Sequence, residues 1–317
     1  MATPLTVLTY LHNAAARGER TALIVLTAVE GGAARGTGTL MGVSEAGHWC
    51  GSLSGGCTEA AIAGEARRVI ENGKAKVLRI GAGSPLIDIR LPCGSGIDLL
   101  IVPQPDAAAI AGTIARLTDR QPIVLAAGTD GALVLHAANS RTRSGWQDAK
   151  FHLRLDPPLR MIIAGHGEEV EALARQTGAW GAVVEVITPD ERLASQLGVV
   201  PIKTPTSPVP LDLDPWSALV LLFHDHDWEV PLLARALPQP HLWIGAMGSR
   251  TTHARRLVAL AEAGVPAELS SRIHGPIGLI PSARDPETLA LSVLAEVVAA
   301  YGARRNSSGI PLSRQLP

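Results

Sequence analysis

Three cysteines stand in two glycine- and serine-rich stretches, and their setting suggests chemistry with soft ligands. Cys50 and Cys57 bracket "CGSLSGGC", and Cys93 opens "CGSG" about 35 residues on. In the segment Ser54-Gly55-Gly56-Cys57, paired glycines let the backbone bend sharply and approach a ligand closely. A helix is expected directly after Cys57, and its positive end favours thiolate there. Cys93 followed by Gly94 repeats the pattern. Two such thiols can hold a soft metal or carry sulfur. Neither a C-x-x-C pair nor paired histidines accompany them, so zinc is not indicated. Cys50 reads as a small packed residue.

A second set of candidates lies further along the chain. "FHDHDWE" places His224, Asp225, His226 and Asp227 after an apolar run. Neighbouring strand residues point to opposite faces, so these four form a polar cleft lining more readily than a metal cage. "GAMGSRTT" brings Gly248, Ser249 and Arg250 to the start of a helix, where hydroxyls, backbone N–H groups and a guanidinium suit an anion or a phosphate. Arg255 and Arg256, one turn on, are expected to face solvent. "RIHGPIGLIPSARDPE" holds His274 in a loop shaped by glycine and proline. "AGHGEEV" has the look of a strand entering a glycine turn, but the dinucleotide fingerprint is incomplete. With Gly165 taken as its central glycine, Ile163 and Glu168 occupy the flanking glycine positions, and Glu168 and Glu169 oppose a pyrophosphate. Ordinary NAD(P) binding is therefore not expected.

These residues need a scaffold, and the chain is long enough for about two domains. Hydrophobic residues make up 46% and charged residues 18%, which supports well-packed cores. A net charge of -1 and 3% aromatics offer nucleic acid neither a basic footprint nor a stacking platform. The longest apolar runs, such as "ALIVLTAV", are too short to span a bilayer. The start lacks a charged region feeding an apolar one. The expected location is cytoplasmic, where the thiols stay reduced.

The periodicity predicts a helix up to Arg17, strands at "TALIVLTAVE" and "GTLMGVS", a helix from Thr58 to Gly73, and strands at "KVLRIG" and "GIDLLIVPQ". This forms a small α+β domain over 1–105. Residues 106–157, a helix and a hairpin around Gly128–Gly131, read as a bridging region. Continuously apolar strands alternating with helices over 158–302 predict a Rossmann-like, doubly wound parallel sheet. Residues 303–317 read as a tail. The fold class is α/β.

Taken together the motifs resemble the XdhC family, which includes CoxI- and CoxF-like proteins. "GSLSGGCTEAA" is similar to its GSxSGGCxE signature, and "LPCGSGIDLLI" to its CGG element. "HDHDWEVPLLARAL" resembles its HD-x-x-x-D segment, "IGAMGSRTTHARRL" its GxLGSRxTxxRR motif, and "RIHGPIGL" its ending. Departures are "IAGHGE" for GAGHVG and "IPSAR" for IGAR. The resemblance implies an accessory protein that binds molybdenum cofactor and stabilises its mature form. It would then insert the cofactor into an apo molybdenum hydroxylase such as xanthine dehydrogenase or aldehyde oxidoreductase. That form is a sulfurated molybdopterin or its cytosine dinucleotide. A cysteine desulfurase, a cofactor nucleotidyltransferase and a second copy of the chain are the further partners it implies, with no nucleic acid and no membrane. Carried over to this chain, the cofactor-binding set is Ser54, Gly55, Gly56, Cys57, Cys93, Gly94, His224, Asp225, Gly248, Ser249, Arg250 and His274, with Cys57 and Cys93 as metal ligands. The rival readings are an NAD(P)-dependent oxidoreductase and a sulfurtransferase working through Cys57 or Cys93.

Overall fold

A computed structural model describes residues 3–32, 34–56, 58–84, 94, 96–139 and 142–307. Cys57 and Cys93 lie outside the described residues. The chain divides into two compact units that meet in sequence at Pro157 and Pro158.

The first unit opens with helix α1 (Pro4–Ala16), capped by the Thr3 hydroxyl, with proline where no N–H is needed. Its buried stripe, Val7, Leu8, Leu11 and Ala14, has helical spacing. Strands β1 (Thr21–Glu30), β2 (Leu40–Ser44), β3 (Trp49–Gly51), β4 (Lys76–Gly81) and β5 (Gly96–Pro103) form an antiparallel sheet in the order β3-β2-β1-β5-β4. Helix α2 (Glu59–Asn72) lies between β3 and β4 in sequence and ends at Gly73 in the left-handed conformation. The central strands are apolar on both faces because both are covered. Ala22, Ile24 and Leu26 of β1 pack with Ile62, Ala66 and Val69 of α2. Leu23 and Val25 pack with α1.

Residues 106–157 hold α3 (Ala107–Thr118), capped by Asp106, and four strands. These are β6 (Ile123–Gly128), β7 (Leu133–Ala137), β8 (Gly145–Gln147) and β9 (Lys150–Leu155), in the sheet order β7-β6-β9-β8. The hairpin expected around Gly128–Gly131 is β6-β7, and β8 and β9 are further short strands that the sequence pattern does not announce. Leu125, Phe151 and Leu153 share one core with Leu8, Leu11 and Leu100. The stretch read as a bridge is thus packed into the first unit.

The second unit is a parallel sheet of β10 (Arg160–Gly165), β11 (Val183–Ile187), β12 (Ser217–Leu222) and β13 (Trp243–Ala246), in the order β11-β10-β12-β13. Around it stand α4 (Glu168–Trp180), α5 (Glu191–Leu197), α6 (His226–Ala236), α7 (Arg250–Glu262), α8 (Ala267–Ser270) and α9 (Pro286–Ser307). Leu173 of α4, Leu193 of α5 and Val297 of α9 cover one face. Leu233 of α6 and Leu260 of α7 cover the other. The sheet is doubly wound, with its switch point between β10 and β12. Gly165 ends β10 where no side chain fits: a Cβ there would stand 2.6 Å from the Leu222 carbonyl oxygen. Helix α9 continues past 302, because Tyr301 is buried and the Arg304 guanidinium lies over the Trp216 ring at 4.8 Å. Residues 303–307 are therefore helical rather than tail.

Candidate functional site

Strand pairing in the first unit brings three connections to one end of the five-stranded sheet. Gly96, where β5 begins, pairs with Glu30 at the end of β1 and with Gly81 at the end of β4. Gly51, the last residue of β3, pairs with Met41 near the start of β2. The connections 31–39, 52–58 and 82–95 therefore leave the same sheet end, and the last two carry the Cys57 and Cys93 positions.

The 52–58 connection is organised by Glu59, which is 4% exposed. Its Oε1 accepts from the Ser52 hydroxyl (2.7 Å) and from the backbone N–H groups of Leu53 and Ser54 (3.0 and 2.9 Å). Its Oε2 accepts from the Ser54 hydroxyl at 2.8 Å and the Thr58 N–H at 3.2 Å. Burial works against the charge, but these donors overcome it and hold the carboxyl at about 2 against an ordinary 4.5. A negative charge thus stands at the start of α2, where it offsets the positive end of the helix. Nothing in the signature itself distinguishes this glutamate from any acidic residue that opens a helix. Five donors converging on one buried carboxylate are visible only in three dimensions.

Ser54 is thereby a structural hydrogen-bond donor as well as a loop residue. Gly55 and Gly56 have φ of 85° and 110°, which glycine adopts without strain. Gly94 likewise has φ of 66°. A Cβ on Gly56 or Gly94 would meet no described residue within 4 Å. The Thr58 hydroxyl, by contrast, is buried and has no hydrogen-bond partner among the described residues. Open backbone, an orphaned hydroxyl and two thiols in the flanking sequence fit a small polar ligand with a soft centre.

Beneath this end, the Arg79 guanidinium reaches both Asp98 carboxylate oxygens at 3.1 and 3.2 Å, and also Glu30. Its Nε donates to the Ala82 carbonyl at 2.7 Å. A Cβ on Gly96 would stand 2.7 Å from Arg79 Nη2, which explains the second glycine of "CGSG". Cys50 is on strand β3, not in the loop, and pairs with Gly42. It packs beside the α1 core, and burial pushes its thiol up.

In the second unit the switch point carries two imidazoles. His166 follows β10, His224 follows β12, and their rings meet edge to face at 5.6 Å. Asp225 is an N-cap: its Oδ1 accepts from the Asp227 N–H at 2.9 Å. His226 contacts Glu229 at 2.8 Å instead of opening to the crevice. Gly248 has φ of 134°, and Ser249 caps α7 by accepting from the Thr252 N–H at 3.1 Å. Arg250 is exposed. Arg255 is also exposed, but the expectation of a solvent-facing Arg256 is overturned, because that side chain is fully buried. Its guanidinium grips Glu229 at 2.8 and 3.0 Å and donates to the Met247 carbonyl at 2.6 Å. The helix turn of α7 points it inward, which its polar type does not disclose. His274 lies against Trp243 at 5.0 Å and contacts Glu296 at 3.2 Å. Its backbone lengthens the sheet beyond β13. The structure brings His166 to His224 and ties His274 to a separate glutamate. Among the described residues no group of three or more His, Cys, Asp or Glu side chains could hold a metal ion.

The nucleotide end of this sheet is acidic. Gly167 caps α4, and Glu168, Glu169 and Glu171 fill its first turn. Asp190, near the end of β11, is used as the cap of α5, accepting from the Leu193 N–H at 3.0 Å.

A family model described as the XdhC Rossmann domain matches residues 161–297, and one described as the XdhC and CoxI family matches 14–81. The Escherichia coli K12 protein named molybdenum cofactor insertion chaperone PaoD is 35% identical over 97% of this chain and 92% of that protein. This chain belongs to the XdhC and CoxI family. A second Escherichia coli protein, the uncharacterized YqeB, is 34% identical over 88 residues, 28% of this chain and 16% of its own length. A crystal structure from Bacillus halodurans, described as a xanthine dehydrogenase, superposes with a TM-score of 0.75. At 19% identity, covering 95% of this chain and 97% of that one, it shows a shared fold. In this XdhC-family chain the signature "GSLSGGCTE" thus spans the end of β3, the connection after it and the first residue of α2.

Proposed function

We propose that this XdhC-family protein is an accessory chaperone, not an enzyme. It binds molybdenum cofactor and hands it to an apo molybdenum hydroxylase such as xanthine dehydrogenase or aldehyde oxidoreductase. The observation that carries the reading is the convergence of the two thiol-bearing connections at one end of the antiparallel sheet. The relative named for molybdenum cofactor insertion supports it across nearly the whole chain. Cys57 and Cys93 would supply soft donors. Gly55, Gly56 and Gly94 allow close approach, and Ser54 with Glu59 holds the connection in shape. The bound cofactor supplies the molybdenum–dithiolene centre, which the protein protects. The finer reading is that the mature form, sulfurated or carrying cytosine dinucleotide, is the one retained, with a cysteine desulfurase acting beside it.

The acidic start of α4 and the capping role of Asp190 argue against an NAD(P)-dependent oxidoreductase. The test is to purify the protein from cells making the cofactor, oxidise the extract, and measure pterin fluorescence and molybdenum. Stoichiometric pterin supports the proposal. A protein that carries neither pterin nor molybdenum, and does not restore an apo-hydroxylase, overturns it.

A further inference from the structure

The third connection at the thiol end of the sheet, 31–39, has no assigned part. Its sequence "GGAARGTGT" is rich in glycine, and Gly31 and Gly38 take left-handed φ of 79° and 89°. It touches the signature connection: a Cβ on Gly55 would stand 3.3 Å from the Ala34 Cβ. The next residue is Arg35. Its guanidinium makes one hydrogen bond among the described residues, to the carbonyl of its own neighbour Ala34 at 3.1 Å. The other described cation at this end, Arg79, is committed to Asp98 and Glu30. The described carboxylates here are committed as well: Glu59 to its five donors, Asp98 and Glu30 to Arg79. Among the described residues Arg35 is thus a cation without a carboxylate, set beside the backbone that the proposed ligand would approach.

We infer that Arg35 is the anion-binding residue of this site, holding the phosphate of the ligand by a forked, charge-assisted contact while the thiol connections hold its soft end. A guanidinium presents paired N–H donors that match phosphate oxygens. The inference rests on the cofactor reading, and the anion site can be examined apart from it.

The experiment uses the full chain as wild type, Arg35→Gln, Arg35→Lys and Arg250→Gln. Retained pterin is measured after a wash at rising salt, and binding of inorganic pyrophosphate to the apo-protein is measured by calorimetry. Arg35→Gln is expected to retain roughly ten- to a hundred-fold less pterin, as for loss of a charged hydrogen bond, and to lose part of the salt dependence. Arg35→Lys should recover part of both, with an unchanged melting temperature in each variant because, among the described residues, Arg35 bonds only its own neighbour. Arg35→Gln retaining as much as wild type overturns the inference while the cofactor reading stands. Loss in Arg250→Gln alone places the anion in the second unit and overturns it too. A wild type that carries no pterin yet binds pyrophosphate through Arg35 keeps the anion site and removes the cofactor reading. Binding of neither removes both.

Discussion

Glu59 is the residue on which the signature connection depends. Its carboxyl is held at about 2 rather than 4.5, so folding favours the charged form. The stabilisation is complete above the unfolded value of 4.5 and is lost as pH falls from there towards 2. Glu59→Gln keeps the shape and removes the charge, and should cost about 1.5–3 kcal/mol, the scale of a hydrogen bond to a charged group. Melting curves between pH 7 and pH 2 check this: wild type should lose that increment through the acid range, and the variant should start without it. The cysteines divide by the same reasoning. Cys57→Ala or Cys93→Ala should lower pterin retention roughly ten- to a hundred-fold at unchanged melting temperature. Cys50→Ala should leave retention alone, since that thiol is packed on β3 against the α1 core. A reversed order would move the site away from the connections.

At the scale of elements, α6 and α7 are joined by a buried ion pair. Arg256 and Glu229 are 0% and 1% exposed, and His226 and His253 stand at its two sides. Burial together with the Arg256 charge holds the His253 imidazole below its usual range. Arg256→Ala leaves a carboxylate buried without its partner and should destabilise the second unit by about 3–5 kcal/mol. Replacing both residues by Met and Leu should cost less, because no orphaned charge remains. Chemical denaturation of the two variants compares these outcomes. A mild single variant and a severe double one would show that packing, not charge, dominates there. The pair also shows how a helix can carry consecutive arginines with opposite fates: Arg255 is exposed, and Arg256 is buried against Glu229 of α6 and the Met247 carbonyl.

For the whole molecule the expectation concerns nucleotides and clients. The second unit keeps a doubly wound sheet, yet its first helix begins with three glutamates, so NADPH should bind weakly or not at all in a fluorescence titration. Dissociation in the low micromolar range would reverse this reading. Cells lacking the protein should accumulate a hydroxylase that folds and carries its other redox centres but is inactive and short of mature cofactor, as measured by metal and pterin analysis of the purified enzyme. Among the described residues no helix is long and apolar enough to cross a membrane.

Much of this architecture follows from local pattern. Strand β12 is a continuous apolar run because both faces are covered, and Asp285-Pro286 announces α9 with a cap and a proline at the first turn. The signature with its thiols and glycines is likewise written in adjacent residues, and so is family membership. Nothing local distinguishes Arg35, in the glycine-rich connection 31–39, from an ordinary solvated arginine. That Glu30, Gly81 and Gly96 meet, and so gather three connections at one sheet end, depends on pairing between residues up to 66 positions apart. The inward turn of Arg256 and the packing of 106–157 onto α1 also depend on partners distant in the chain, whereas the donors around Glu59 are near it in sequence and converge only once the connection has folded. Local periodicity reports how a segment is exposed along its own axis. Which segments become neighbours is decided by burying their faces together, and only the folded chain contains that information.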